Sequence, residues 1–168
     1  MSKGSGRFSH RHREGVLSAV SAGFFLILVG VLFILNPDLV SNVVHFFNNL
    51  KLEEVLGSNV HLPIPGDGDY LLIYRTVQQF CLVWAVFSVA MLGLRFVFGS
   101  QARKKADGFG DSVFWFGAAY LIREYLVQMS TVDTIRWFEF WASIVTLIGV
   151  SLIVRGVFLA TAWKTRID

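Results

Sequence analysis

Residues 112–130 read SVFWFGAAYLIREYLVQMS, and the fold turns on whether this stretch crosses a membrane. Its unbroken apolar run extends only from Val113 to Ile122, after which Arg123 and Glu124 stand side by side. A helix needs about 20 apolar residues to cross a hydrocarbon core of about 30 Å. By itself the stretch is too short, so the segments around it have to decide.

The chain as a whole has the composition of a membrane protein. Of its 168 residues, 54% are hydrophobic and only 16% charged, against roughly 25% charged in soluble domains. Three further segments read as spans, about 15–36, 74–99 and 137–163. The first, GVLSAVSAGFFLILVGVLFILN, is uncharged throughout and longer than a signal-peptide core. No small-residue cleavage pattern precedes Asn36, so a retained anchor is expected, stopped by Asn36-Pro37-Asp38. The second helix is expected to begin near Tyr70.

Charge settles the third. Lys3, Arg7, Arg11 and Arg13 precede the first span, Arg103, Lys104 and Lys105 follow the second, and Lys164 and Arg166 follow the last. These cations fall on one side of the membrane only if 112–131 also crosses. The expected fold is therefore all-α and integral to the membrane: four transmembrane helices with both termini cytoplasmic. Residues 1–14 form a basic tail, 15–168 a single four-helix domain, and 37–73 a long outer loop.

The first half of that loop places Leu39, Val43, Phe46, Phe47 and Leu50 on one helical face. This is the pattern of an amphipathic helix, lying at the interface or packed on its own bundle. The second half, GSNVHLPIPGDGDY (57–70), is expected to be irregular because of Pro63, Pro65, Gly66 and Gly68. Gly66-Asp67-Gly68-Asp69 resembles the G-x-G-D motif of intramembrane aspartyl proteases such as presenilin and the prepilin peptidases. That resemblance implies a second aspartate, for which Asp38 is the geometric choice. A turn capping the second span is the simpler reading.

Cofactor chemistry finds little to work with. The single cysteine, Cys81, excludes an internal disulfide and thiolate clusters. His10, His12, His45 and His61 all lie outside the spans, so no haem is expected between helices, and no metal, cofactor or catalytic centre is assigned. Nothing in the charge pattern calls for nucleic acid.

Helix packing is better represented. Gly23 and Gly30 in the first span, and Ala142, Gly149 and Gly156 in the last, recur at heptad spacing. Small residues so placed let helix backbones approach closely. The two spans share wording, GFFLILVGV (23–31) against GVSLIVRGV (149–157), a trace of the kind an inverted repeat leaves. The phrase LILVGVLFILNPD (26–38) resembles the repeated helix of the HdeD acid-resistance membrane family, but the further copies such a protein needs are missing, and no family is assigned.

Three charges remain inside the apolar segments: Arg123, Glu124 and Arg155. Counting about 1.5 Å per residue puts Arg155 a little over 13 Å from Lys164 and the other two midway through the third span. A charge at mid-bilayer costs at least about 2.5–3.5 kcal/mol and demands a partner. Glu124 with Arg155 is the expected pair. The sequence therefore leads to a multi-pass protein of the plasma or cytoplasmic membrane without a catalytic centre. Its partners would be the lipid bilayer, further copies of itself or other membrane subunits, in a structural or accessory role. A small transporter or channel working through Arg123, Glu124 and Arg155 is the alternative.

Overall fold

The computed structural model describes the backbone of residues 5–55, 59–66, 68–128 and 134–164, and side chains from residue 15 to 162 within those limits. Lys3, Asp67, residues 129–131 at the expected end of the third span, and Arg166 lie outside the described residues. The chain divides into two compact units, Met1–Asn36 and Pro37–Asp168.

The first unit is one helix, α1 (Ser5–Leu35). Helix begins well before Gly15, so the basic segment expected as a tail continues the helix from Ser5. Its end is as expected. The Asn36 side chain donates to the Leu32 carbonyl at 3.1 Å, and Pro37, which has no N–H to offer, follows.

The second unit opens with α2 (Leu39–Asn48), a helix of ten residues. Leu39 is buried, Val43, Phe46 and Leu50 are half-buried, and Phe46 packs edge-on against Tyr70 with centroids 5.0 Å apart. The helix thus packs on its own bundle, against α3. Phe47 departs from the expected apolar face. It is exposed, together with Val40 and Val44, because one helical position adds about 100° and turns it away from Phe46.

The proline-rich segment is not irregular. β1 (Leu50–Glu54) and β2 (His61–Pro65) form an antiparallel hairpin, with Leu50 opposite Pro65, Lys51 opposite Ile64 and Leu52 opposite Pro63. Val55 N–H donates to the Val60 carbonyl and Gly66 N–H to the Asn49 carbonyl. Hydrogen-bonded pairs alternate along such a ladder. Both prolines therefore fall at positions where a backbone nitrogen faces away from the partner strand, so the missing N–H costs nothing.

Three long helical stretches complete the unit: α3 (Leu71–Val97), α4 (Ala102–Ile122) with a π-helical continuation Arg123–Val127, and α5 (Thr134–Lys164). α3 starts where expected, with Asp69 Oδ1 accepting the Leu71 N–H at 3.0 Å. It ends in a six-residue C-terminal lock. Ser100 N–H returns to the Arg95 carbonyl and Gly99 N–H to the Phe96 carbonyl, with Gly99 at φ +65°. This is the Schellman geometry, which favours glycine at the left-handed position. The short turn sends α4 back along α3, and α4 packs against both α3 and α5. The third segment accordingly begins at Ala102 rather than residue 112.

Among the described residues, three helices are long and apolar enough to cross a membrane: Gly15–Leu35 of α1, Leu71–Val97 of α3 and Thr134–Ala162 of α5. α4 is not among them, since it carries Arg103, Lys104, Lys105, Asp107 and Asp111. Its polar groups are managed locally. Buried Ser112 donates back to the Gly108 carbonyl at 2.8 Å, as Thr76 does to Leu72 in α3 and Ser151 to Ile148 in α5.

Candidate functional site

The face of α4 toward its neighbours is built from missing side chains. A Cβ on Gly108 would stand 2.9 Å from Leu92 of α3, one on Gly117 would land on Leu147 of α5, and one on Gly110 would land on the Arg155 side chain. Ala118 and Ala119 are buried on the same helix, in a core with Cys81, Ile122 and Phe140. Glycine and alanine here let two helices approach α4 at once.

The glycines that do this work were not those singled out in the sequence. Gly149 and Gly156 in α5 have open space where a Cβ would be, and Ala142 is exposed. Gly23 and Gly30 of α1 are equally open. The signal that would have found the α4 set is Gly110 and Gly117, themselves a heptad apart.

The notch at Gly110 seats an ion pair. Arg155 Nη2 lies 2.6 Å from Asp111 Oδ1, joining α5 to α4. The Arg155 side chain is 32% exposed and that of Asp111 48%, so the pair sits at the edge of the helix packing. The guanidinium Nε is buried and has no hydrogen-bond partner among the described residues. Asp107, one turn before Asp111, and Arg95 of α3 both act on the Asp111 charge. Arg95 in turn donates to the Lys104 carbonyl at 2.9 Å, and Lys105 Nζ stands 4.4 Å above the Phe96 ring. Two arginines and two aspartates from three helices thus make a cluster with no net charge.

This corrects the expected pairing of Glu124 with Arg155. Arg123 and Glu124 are exposed on the π-helical turn, where Gln128 N–H reaches back five residues to the Arg123 carbonyl at 3.1 Å. They lie twelve and thirteen residues beyond Asp111, some 18 Å along the helix at about 1.5 Å per residue. The depth estimate misplaced them because it started the helix at residue 112, ten residues late. Arg155 belongs to one end of α4; Arg123 and Glu124 belong to the other.

The opposite end of the unit is aromatic. Ile64, Tyr70, Tyr74 and Trp137 form a second buried cluster, flanked by Phe46 and Phe138. Hydrogen bonds among the described residues fasten the hairpin to α5 there. Trp137 Nε1 donates to the Pro63 carbonyl and the Thr134 hydroxyl donates to Glu53 Oε2, each at 3.1 Å. Of the aspartates suggested by the G-x-G-D motif, Asp69 caps α3 and Asp38 offers its carbonyl to Ser41 and Asn42 of α2. Both positions are those of helix starts.

The ion pair can lock the register of α4 against α5 and keep a carboxylate neutralised within an apolar surface; Arg123, Glu124 and Arg155 are not brought together to line one path. Comparison of the chain with protein-family models, with curated proteins and with solved structures gives no match.

Proposed function

We propose that the chain is a four-span integral membrane protein, with both termini cytoplasmic, that serves as a structural or accessory subunit of a homo-oligomer or a larger membrane complex. The observation that carries this reading is the Asp111–Arg155 pair seated on Gly110. It supports α4 as the fourth span, because it neutralises the one acidic side chain between Asp107 and Arg123. α4 and its π-helical continuation run unbroken from Ala102 to Val127, roughly 38 Å at about 1.5 Å per residue and enough to cross the hydrocarbon. α4 then runs between two apolar helices and closes the topology that places Arg103, Lys104 and Lys105 with the N-terminal basic segment.

How the charges are used supports a structural role. The pair joins two helices of one unit, and its geometry is fitted by the missing side chain of Gly110. The open glycines Gly149 and Gly156, the exposed Ala142 and the exposed apolar side chains of α5 remain as surface for lipid or a further subunit.

Two measurements test the proposal. Single cysteines introduced at Gln101 and Gln128, in a Cys81→Ser background, should react with a membrane-impermeant thiol reagent from opposite sides. Reaction from the same side would remove the fourth span. Gentle detergent extraction from the native membrane should then yield the chain in a stable oligomer or with defined companions, while reconstituted vesicles show only background flux. Solute or ion flux that is lost with Asp111→Asn would replace the structural role with transport.

A further inference from the structure

Tyr70 immediately precedes α3 and Tyr74 lies one turn beyond it, so the two rings leave the helix on the same side. Both are buried, 3% and 7% exposed, and their ring centroids are 6.5 Å apart. Among the described residues, neither hydroxyl has a hydrogen-bond partner. A buried hydroxyl without a partner is destabilising, and folded proteins satisfy nearly all of them, often with an ordered water.

The surroundings narrow what that partner is. Phe46 stands edge-on to both rings, at 5.0 Å from Tyr70 and 6.5 Å from Tyr74, and Ile64 of the hairpin and Trp137 of α5 add apolar walls. The exposed His45 ring of α2 lies 6.1 Å from the Tyr70 ring without bonding its hydroxyl. The indole N–H of Trp137 is already committed to the Pro63 carbonyl. A Cβ on Gly68 would lie 2.8 Å from the Tyr70 hydroxyl, so the backbone passes close over it and a side chain there would take up the space beside it. Phenylalanine at both positions would supply the same ring packing. The two hydroxyls add a polar requirement that the described neighbouring side chains do not meet.

We propose that Tyr70 and Tyr74 form a closed polar site at the hairpin end of the α3–α4–α5 unit, holding an ordered water that bridges their hydroxyls beneath β1 and β2. Water is the occupant whose chemistry fits. It donates and accepts, so it satisfies both phenols whichever of them donates. It is small enough for a site enclosed by aromatic rings, and it is uncharged, as walls of Phe46, Ile64 and Trp137 require. Its position under the hairpin makes it part of what fastens that element down.

Ultraviolet resonance Raman spectroscopy tests this on the wild-type protein in lipid nanodiscs. Difference spectra against Tyr70→Phe and Tyr74→Phe isolate each phenol, and the intensity ratio of its ring doublet reports whether the hydroxyl is hydrogen-bonded. Both hydroxyls are expected to be bonded; a non-bonded ratio for either overturns the proposal. The bonded signature should persist after exchange into a maltoside detergent free of phospholipid. Its loss there would assign the bond to a lipid oxygen and overturn the water. Each single Tyr→Phe variant should also lower the unfolding midpoint by about 2–4 °C. An unchanged or higher midpoint would mean that an orphaned hydroxyl had been removed, which contradicts a bound water.

Discussion

At the basic end of the second unit, α4 and α5 are joined by a charge pair seated on a glycine. At the hairpin end, the same bundle is closed by interlocking aromatic rings and two hydrogen bonds to a hairpin. The two ends answer the same problem with different physics. A charge pair in a poorly solvating surface is strong but unforgiving, since either partner left alone is a costly ion. Aromatic packing distributes its stabilisation over many weak contacts, so no one of them is decisive. Mutations should therefore act steeply at the basic end and gently at the hairpin end.

The largest effect is expected at Arg155. On the proposed four-span topology, Arg155→Ala removes the ion-pair partner of Asp111 at the α4 surface and should destabilise the protein by about 3 kcal/mol in a bilayer. Replacing both, Asp111→Asn with Arg155→Met, removes the ion as well as its partner and should recover most of that loss. Cys81 is the only cysteine and is buried, so a thiol-reactive fluorophore reports unfolding of either variant directly. A double variant no more stable than Arg155→Ala would show that the pair is not the feature holding that end. Gly110→Val comes next, at about 2 kcal/mol, because the added methyls land on Arg155 and displace it from Asp111. Gly149→Val, on the open face of α5, is the matched control and should be close to neutral for the isolated unit, by the same thiol assay.

These contrasts also measure how much of the fold the sequence disclosed. The apolar helices were legible, since their length and hydropathy depend on the residues themselves. The hairpin was not. Pro63 and Pro65 read as breakers, and only the pairing register shows that their nitrogens point away from the partner strand. The α4 boundary failed for a related reason. Asp111 and Asp107 looked like a loop because their charge is acceptable only opposite Arg155 and Arg95, and that compensation comes from other helices. One clue was available. Asp111 lies nine residues from Ala102, and Arg155 nine from Lys164, which places them at equal depth once α4 is allowed to start at its true beginning. Glu124 drew attention only because it is the conspicuous acid in an apolar run.

At the hairpin end, Trp137→Phe keeps the ring but removes the indole N–H, leaving the Pro63 carbonyl without its donor. The expected cost is about 1 kcal/mol, read as a small decrease in the midpoint of thiol labelling. A loss as large as that of Arg155→Ala would erase the contrast between the ends.

The smallest effect is the most diagnostic of how the hairpin end works. Thr134→Val removes the hydroxyl that donates to Glu53 and preserves the shape of the side chain. The bond is exposed, so the global cost should be about 0.5 kcal/mol or less, near the limit of thermal measurement. Its local effect is easier to see. With the Thr134 hydroxyl gone, the strands lose one of the hydrogen bonds that tie them to α5 and keep the one from Trp137, and a two-stranded hairpin has little stability of its own. Amide hydrogens of Val55 and Gly66, which close the ladder at its two ends, should exchange several-fold faster while those of α4 stay unchanged. Such selectivity would mean that the hairpin opens as a separate unit above the aromatic cluster. Equal acceleration in α4 would mean that both ends rise and fall together, and that the charge pair and the rings belong to one cooperative structure.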